Sequence, residues 1–308
     1  MKKTSTKLLS VLAAGVIMAS AFAGCGGNSS STASGDNSSN AGSSNTSAFD
    51  TSKSLSVITR EQGSGTRDAF VELTGVLVKD GDTKTDTKKP DAVTVNGTEA
   101  VITNVKGNDA AIGYISLGSL NDSVKALKIE DVDATAENVK SGEYKISRPF
   151  NIAYKGDLSG LAKDFVDYIL SSDGQAVISK EGYVPVSENA AYAGTKPEGK
   201  ITVAGSSSVS PVMEKLIEAY KQINTKAEIE LQTSDSSAGM QSALEGTCDI
   251  GMASRELKDT ETALASTTIA KDGIAVIVNT NNTTENLTMD QVKAIYTGEA
   301  KVWSDITK

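Results

Sequence analysis

The sequence predicts an α/β protein built mainly on parallel sheets, and three observations carry that expectation. From Leu55 onward, short apolar runs rich in Val and Ile alternate with segments whose apolar residues recur at helical spacing. The joints between them are rich in Gly, Ser and Thr, the residues that turn a strand into a helix start. The 308 residues are 38% hydrophobic and 22% charged, which suits one large or two medium domains with buried cores.

In chain order, Leu55 to Thr59 reads as a strand running into Arg60-Glu61-Gln62-Gly63-Ser64-Gly65-Thr66-Arg67-Asp68. Ala69, Phe70 and Leu73 follow at helical spacing, so a helix opens near Thr66. Residues 79 to 90 are Lys, Asp, Thr and Gly ending in Pro90, a surface loop. Ala92 to Val95 is strand-like, Thr98 to Lys106 helical, and Ala110 to Ile115 and Val124 to Ile129 strand-like again. Leu161, Phe165 and Ile169 give an amphipathic helix capped by Ser159. A second helix runs from about Asp173 to Lys180, stops at Gly182, and Tyr183 to Val186 closes the segment.

Residues 187 to 200 are polar and small and read as a linker inside the chain. Beyond it, Ile201 to Ala204 is a strand entering Gly205-Ser206-Ser207-Ser208-Val209-Ser210-Pro211, and the next helix carries Val212, Leu216, Tyr220 and Ile223. Ile229 to Thr233 is a strand entering Ser234-Asp235-Ser236-Ser237-Ala238-Gly239, and its helix ends at Gly246. Asp249 to Ala253 leads into Ser254-Arg255-Glu256, and Ile274 to Val278 is the most strand-like run of all. Thr288 and Gln291 form a capping box for a last helix that ends at Gly298.

The chain opens with an address. Lys2, Lys3 and Lys7 precede an apolar run from Leu8 to Phe22, too short for a membrane span and suited to a secretory signal over residues 1–24. Ala21-Phe22-Ala23-Gly24-Cys25 resembles a bacterial lipobox, which implies that Cys25 carries a lipid anchor after cleavage. Residues 25–53 follow as a tether: Ser, Thr, Gly and Asn fill 21 of the 28 positions from 26 to 53. Such a stretch buries too little apolar surface to offset its ordering entropy.

Composition narrows the chemistry. The chain has no His, which excludes His-dependent acid/base catalysis, serine or cysteine triads and His-ligated metal. Its formal charge of −9 argues against broad nucleic-acid binding, which draws on excess Lys and Arg, but leaves room for one small anion held by local groups. Cys248, between Thr247 and Asp249, reads as a small buried thiol, and Trp303 as packing.

Four strand-to-helix turns repeat one chemistry: Ser206-Ser207-Ser208, Ser236-Ser237, Ser254-Arg255, and Arg60 with Ser64-Gly65-Thr66. A helix start leaves backbone N–H groups unpaired at the positive end of its dipole, so an oxyanion fits there. Hydroxyls add donors, Gly65 allows close backbone approach, and Arg60 and Arg255 supply charge-assisted bonds. One such turn is ordinary helix capping; four, two of them with arginine, read as a binder of a small anion without metal or other cofactor.

Several unlike motifs then resemble one family. The stretches Arg60 to Asp68, Gly205 to Pro211, Asp249-Ile250-Gly251 with Ser254-Arg255-Glu256-Leu257, and Asp272 to Val278 resemble signatures of phosphate-binding proteins of the Pst-type ABC transporter. Ala111 to Ser116, Ser147-Arg148-Pro149-Phe150, and Gly174-Gln175 through Val186 resemble it as well, so the likeness spans residues 54 to 308. It implies a two-lobed periplasmic-binding-protein-like fold of type II with the ligand in the interlobe cleft. It also implies phosphate contacts from Arg60, Ser64, Gly65, Thr66, Ser207, Ser208, Ser237, Ser254 and Arg255. Some family members have an aspartate near the place of Ser254 that accepts the proton of hydrogen phosphate, which leaves selectivity over sulfate open here.

The segment order differs from the family's usual one, in which the serine turn now at 205–211 opens the mature protein. The chain therefore reads as a circular permutant, its usual ends joined through 187–200 and new ends opened before Ser54. Mapped on that order, one lobe is residues 144–278 and the other 54–143 plus 279–308. The resemblance implies a monomeric, non-enzymatic lipoprotein on the outer face of the cell membrane that passes inorganic phosphate to permease subunits of an ABC importer. The alternatives are another oxyanion (sulfate, molybdate or tungstate), a phosphate-sensing surface protein and, last, a phosphatase, for which no lysine is expected beside the key serines.

Overall fold

The structure is a computed structural model that describes residues 49–81 and 83–306. The signal segment, Cys25 and the tether up to Ala48 lie outside the described residues. The packed part begins earlier than Ser54: Phe49 meets the Trp303 ring edge-on, and Thr51 O accepts from Ser304 N. Phe49 belongs to the core, not to the tether, because it is an aromatic ring beside a buried indole.

Along the chain, β1 (Ser56–Arg60) enters α1 (Gly65–Leu73). Next come β2 (Leu77–Asp80) and β3 (Thr83–Asp86), a hairpin where the composition suggested a loop. The Arg67–Asp86 ion pair ties that hairpin to α1, a tertiary contact that local composition does not reveal. Then follow β4 (Val93–Val95), α2 (Thr98–Lys106), β5 (Ala111–Ser116), β6 (Lys125–Ala126) and β7 (Lys128–Ile129). The short helix α3 (Ala136–Ser141), which apolar spacing did not announce, is capped by Thr135 and stopped by the left-handed Gly142.

The strand β8 (Ser147–Lys155) leads to α4 (Gly160–Leu170), α5 (Ser172–Lys180) and β9 (Val184–Pro185). After the segment 187–198, β10 (Gly199–Ser206), α6 (Ser210–Ile223), β11 (Ala227–Ser234), α7 (Ser236–Glu245) and β12 (Ile250–Ala253) alternate. The long β13 (Leu264–Val278), β14 (Asn286–Leu287) and α8 (Met289–Thr297) finish the fold. Thr288 and Gln291 form the capping box on α8 and Gly298 closes it in a left-handed conformation, as local chemistry dictates.

The main sheet runs β11-β10-β12-β8-β13-β5-β1-β4. Its wings are parallel, β10 with β11 and β12 on one side, β1 with β4 and β5 on the other. Its centre is antiparallel: β12 with β8, β8 with β13, and β13 with β5. The sheet is thus mixed rather than mainly parallel, because two long strands pass between two cores.

Each wing is covered on both faces. Around β1 and β5, alternate residues face opposite ways: Val57, Ile112 and Tyr114 join Phe70, Val292 and Trp303, while Ile58, Ala111 and Ile115 meet Val101 and Val105 of α2. Around β10 and β12, Val203 and Met252 pack on α4, α5 and α6, and Ala204 and Ala253 on Met240 and Ala243 of α7. The strand β13 contributes Ile269 and Ala270 to one core and Ile274, Val276 and Val278 to the other. Tyr144 and Ile146, just before β8, also join the core of Phe70 and Trp303, whereas Phe150 and Ile152 join the opposite one. Continuous strands therefore place the ends of 144–278 apart from its middle, a division that sequence order did not anticipate.

Candidate anion-binding site

The site is built where the parallel strands deliver helix starts. At the end of β1, Arg60 is buried, and its guanidinium grips Glu61 through Nε at 2.7 Å and Nη2 at 2.6 Å. Nη2 also reaches Ser207 Oγ at 3.1 Å, whereas Nη1 is buried with no hydrogen-bond partner among the described residues. Burial pushes the Glu61 carboxyl up, but the Arg60 hydrogen bond and charge outweigh it and hold the group below the ordinary carboxylate range. The Arg60 backbone is set by its N–H to Tyr114 Oη at 3.2 Å, and Thr59 Oγ1 meets the same phenol at 2.8 Å.

Ser64 caps α1 by accepting from Arg67 N, so Gly65 and Thr66 present first-turn N–H groups that no helical carbonyl can satisfy. Thr66 Oγ1 lies 2.7 Å from Ser208 Oγ, and Ser208 Oγ is 3.4 Å from Thr98 Oγ1 at the start of α2. Thr98 Oγ1 also lies 3.4 Å from Ser207 Oγ. Behind them, Ser206 Oγ donates to Ser254 Oγ at 3.0 Å, and Ser254 N donates to Ser236 Oγ at 3.1 Å. A Cβ on Gly65 would stand 2.4 Å from Ser236 Oγ and 2.8 Å from Ser254 Oγ, so only glycine lets α1 come this close to α7.

The starts of α1, α2, α6 and α7 thus meet around one cluster of hydroxyls, with Arg60 Nη1 lacking a hydrogen-bond partner among the described residues. Unpaired N–H groups, the positive ends of helix dipoles and rotatable hydroxyls suit a small oxyanion. An open cleft of about 510 Å³, lined by Glu61, Gly63, Asn96, Gly97, Ser207 and Asp235, borders the cluster.

The structure brings together Arg60, Ser64, Gly65, Thr66, Ser207, Ser208 and Ser254. Two further expected residues border that cluster and are engaged by other partners. Arg255 spends Nη1 and Nη2 on Glu261 at 2.8 and 2.7 Å, because that carboxylate returns on the following turn. Ser237 is half-buried and accepts from Arg255 Nη2 at 3.3 Å and Lys258 Nζ at 3.4 Å, while its neighbour Ser236 is the one buried at the centre. The expectation of no lysine beside these serines therefore fails at Ser237, which the flexible Lys258 stem reaches from the turn after β12. Asp235 caps α7 by accepting from Ala238 N at 2.8 Å.

Sequence reasoning marked the Ser236-Ser237 turn but took Ser237 from it, and it passed over Thr98 and Glu61 as site residues. Thr98 had a legible signal, since strand β4 followed by Asn96-Gly97-Thr98 is a fifth strand-to-helix turn with a hydroxyl. Outside the site, Cys248 is buried and its thiol is pushed up to about 11, first by burial, consistent with an inert packing role.

A PBP superfamily domain matches residues 44–173 and 190–308. The chain is 48% identical over 307 residues to phosphate-binding protein PstS 2 of Streptococcus agalactiae serotype V, covering 98% of this chain and 99% of that one. It is 46% identical over 257 residues to phosphate-binding protein PstS 2 of Streptococcus pneumoniae serotype 4, covering 83% and 88%. The crystal structure of a phosphate ABC transporter, phosphate-binding protein from Streptococcus pneumoniae TIGR4 aligns with a TM-score of 0.67 at 46% identity, over 83% of this chain and 100% of that one.

Proposed function

The chain belongs to the PstS phosphate-binding proteins within the PBP superfamily, and from that premise we propose that it captures inorganic phosphate outside the cytoplasmic membrane and hands it to an ABC importer. The observation that carries the reading is the buried, unpartnered Arg60 Nη1 beside converging helix starts and the Thr66–Ser208 hydroxyl pair. Phosphate oxygens accept from the Gly65 and Thr66 amides, from Thr66, Ser207 and Ser208, and from the Arg60 guanidinium. Ser254 and Ser236 hold the back of the pocket, and Ser237 and Arg255 stand one layer out. Contacts from both cores to one anion favour the conformation in which the two halves meet. The permease then reads that conformation.

No turnover accompanies binding in this reading. The hydroxyls have no histidine to activate them, and Lys258 is paired with Asp68 at 2.8 Å. Cys25 carries the lipid that holds the monomer at the membrane.

A sulfate-binding variant of this reading draws on one observation: Glu61 and Glu261 are both spent on arginines; by the family resemblance, Ser254 replaces the carboxylate that would reject sulfate. Calorimetric titration of the soluble part with phosphate and sulfate is the test. Tight phosphate binding with much weaker sulfate supports the main reading, equal binding supports the variant, and binding of neither removes both.

The order of segments fits a circular permutation, with the division into two lobes retained. Its support is that the present ends are neighbours: Leu55 N donates to Lys301 O at 2.9 Å, Trp303 N donates to Lys53 O at 3.2 Å, and Ser54 bridges Val302. A chain opened between Glu188 and Lys196, with Ile306 joined to Phe49 by a short glycine linker, is expected to fold and bind as the natural order does. Failure to fold would count against the permutation.

A further inference from the structure

Arg255 is the sequence-predicted ligand whose two terminal guanidinium nitrogens are both engaged by other protein groups. Nη1 donates to Glu261 at 2.8 Å and to Glu256 O at 2.9 Å, and Nη2 donates to Glu261 at 2.7 Å and Ser237 at 3.3 Å. Its remaining Nε makes no hydrogen bond among the described residues but lies 3.3 Å from Asp68 Oδ2 as a charge pair, and Lys258 Nζ lies 2.8 Å from the same oxygen. Asp68 stands in the first turn of α1, whose Phe70 and Val71 pack in the core of Trp303. Arg255 and Lys258 follow β12, whose Met252 packs in the opposite core. One carboxylate oxygen therefore links the two cores through two cations, one helical turn from the amides of Gly65 and Thr66. The elements are in direct contact there, since a Cβ on Gly65 would lie 3.1 Å from Arg255 Cγ.

We propose that Asp68 is a positioning residue for anion capture: its ion pairs with Arg255 and Lys258 hold α1 against the turn after β12 and set how long a bound phosphate is retained, without touching the anion. The inference rests on the phosphate reading above for its ligand. The physical reason is kinetic. Contacts made only when the two sides meet slow release and leave the first encounter of the anion unaffected. Asp68 is 25% and Lys258 46% exposed, so the pairs are partly screened and sensitive to salt.

Asp68→Asn keeps the shape and deletes the charge. Phosphate dissociation followed by stopped flow is expected to speed up about three- to tenfold with association unchanged. The gap to the wild type should narrow as salt rises from about 0.05 M to about 0.5 M. Lys258→Gln moves dissociation the same way by less, and the double variant releases no faster than Asp68→Asn alone. Unchanged dissociation in Asp68→Asn, or a loss carried by slower association and equal at every salt concentration, overturns the proposal.

A second measurement separates this inference from the phosphate reading. Spin labels at Lys106→Cys on α2 and Gln222→Cys on α6 report the separation of the two sides in the absence of phosphate. If the wild type binds no phosphate, the phosphate reading fails and the distances decide. A wider distribution in Asp68→Asn then upholds the clasp, and an unchanged one overturns it.

Discussion

Replacing Gly65 by Ala adds one methyl group at the most crowded point of the site. The backbone there is not left-handed, and alanine favours a helix over glycine by about 0.5–1 kcal/mol, so in isolation α1 would gain. Packing reverses the sign. The new Cβ would stand 2.4 Å from Ser236 Oγ, 2.8 Å from Ser254 Oγ and 3.1 Å from Arg255 Cγ. Ser236 cannot simply rotate away, because its hydroxyl accepts from the buried Ser254 N at 3.1 Å, and orphaning that donor costs about 1–3 kcal/mol. Overpacking of this kind costs about 1–3 kcal/mol in all, which leaves a net loss of about 0.5–2 kcal/mol. In a chain of this size that lowers Tm by about 1–8 °C. Binding should suffer more than stability, since α1 must retreat and carry the Gly65 and Thr66 amides with it. We expect at least a tenfold rise in phosphate Kd, about 1.4 kcal/mol, by calorimetric titration alongside a thermal melt. A Gly65→Ala protein that melts as the wild type and binds phosphate within about twofold of it would refute the convergence of helix starts as the binding element.

Two further outcomes follow from the same geometry. Arg60→Ala removes the unpartnered Nη1 along with the grip on Glu61 and should weaken phosphate binding at least about tenfold, the worth of one charge-assisted hydrogen bond, with far-ultraviolet circular dichroism unchanged. Unaltered affinity would remove Arg60 from the site. In acid, Glu61 and Glu261 have folded pKa values held below their ordinary value, so the stability they contribute is present above about pH 4.3 and is lost as pH falls through the lower folded values. Tm should drop steeply below about pH 4.3, and less steeply in Glu61→Gln. Parallel slopes for the two proteins would show that the Arg60–Glu61 pair contributes nothing to the acid response.

The division between what the chain determines locally and what folding adds follows interaction range. Caps and periodicities act within a turn or two, so the Thr288–Gln291 box, Gly246 and Gly298 as helix stops, and the serine-rich strand-to-helix turns are all legible in neighbouring residues alone. The same local signals mark Arg60 and Ser64-Gly65-Thr66, because a helix start announces its free amides in its own residues.

Partnerships between distant residues are another matter. Arg60 meets Ser207 across 147 positions and Thr66 meets Ser208 across 142, and no residue between them encodes the encounter. Folding also chose Ser236 over Ser237 for the centre, since one residue of rotation on α7 separates a buried face from a half-buried one. It paired Arg255 with Glu261 and set it beside Asp68, and it drew Thr98 and Glu61 in. The antiparallel centre of the sheet was likewise invisible locally, because strand direction is set by how β8 and β13 thread both cores. Residue types set which chemistry was present; long-range packing set which of those groups share one pocket.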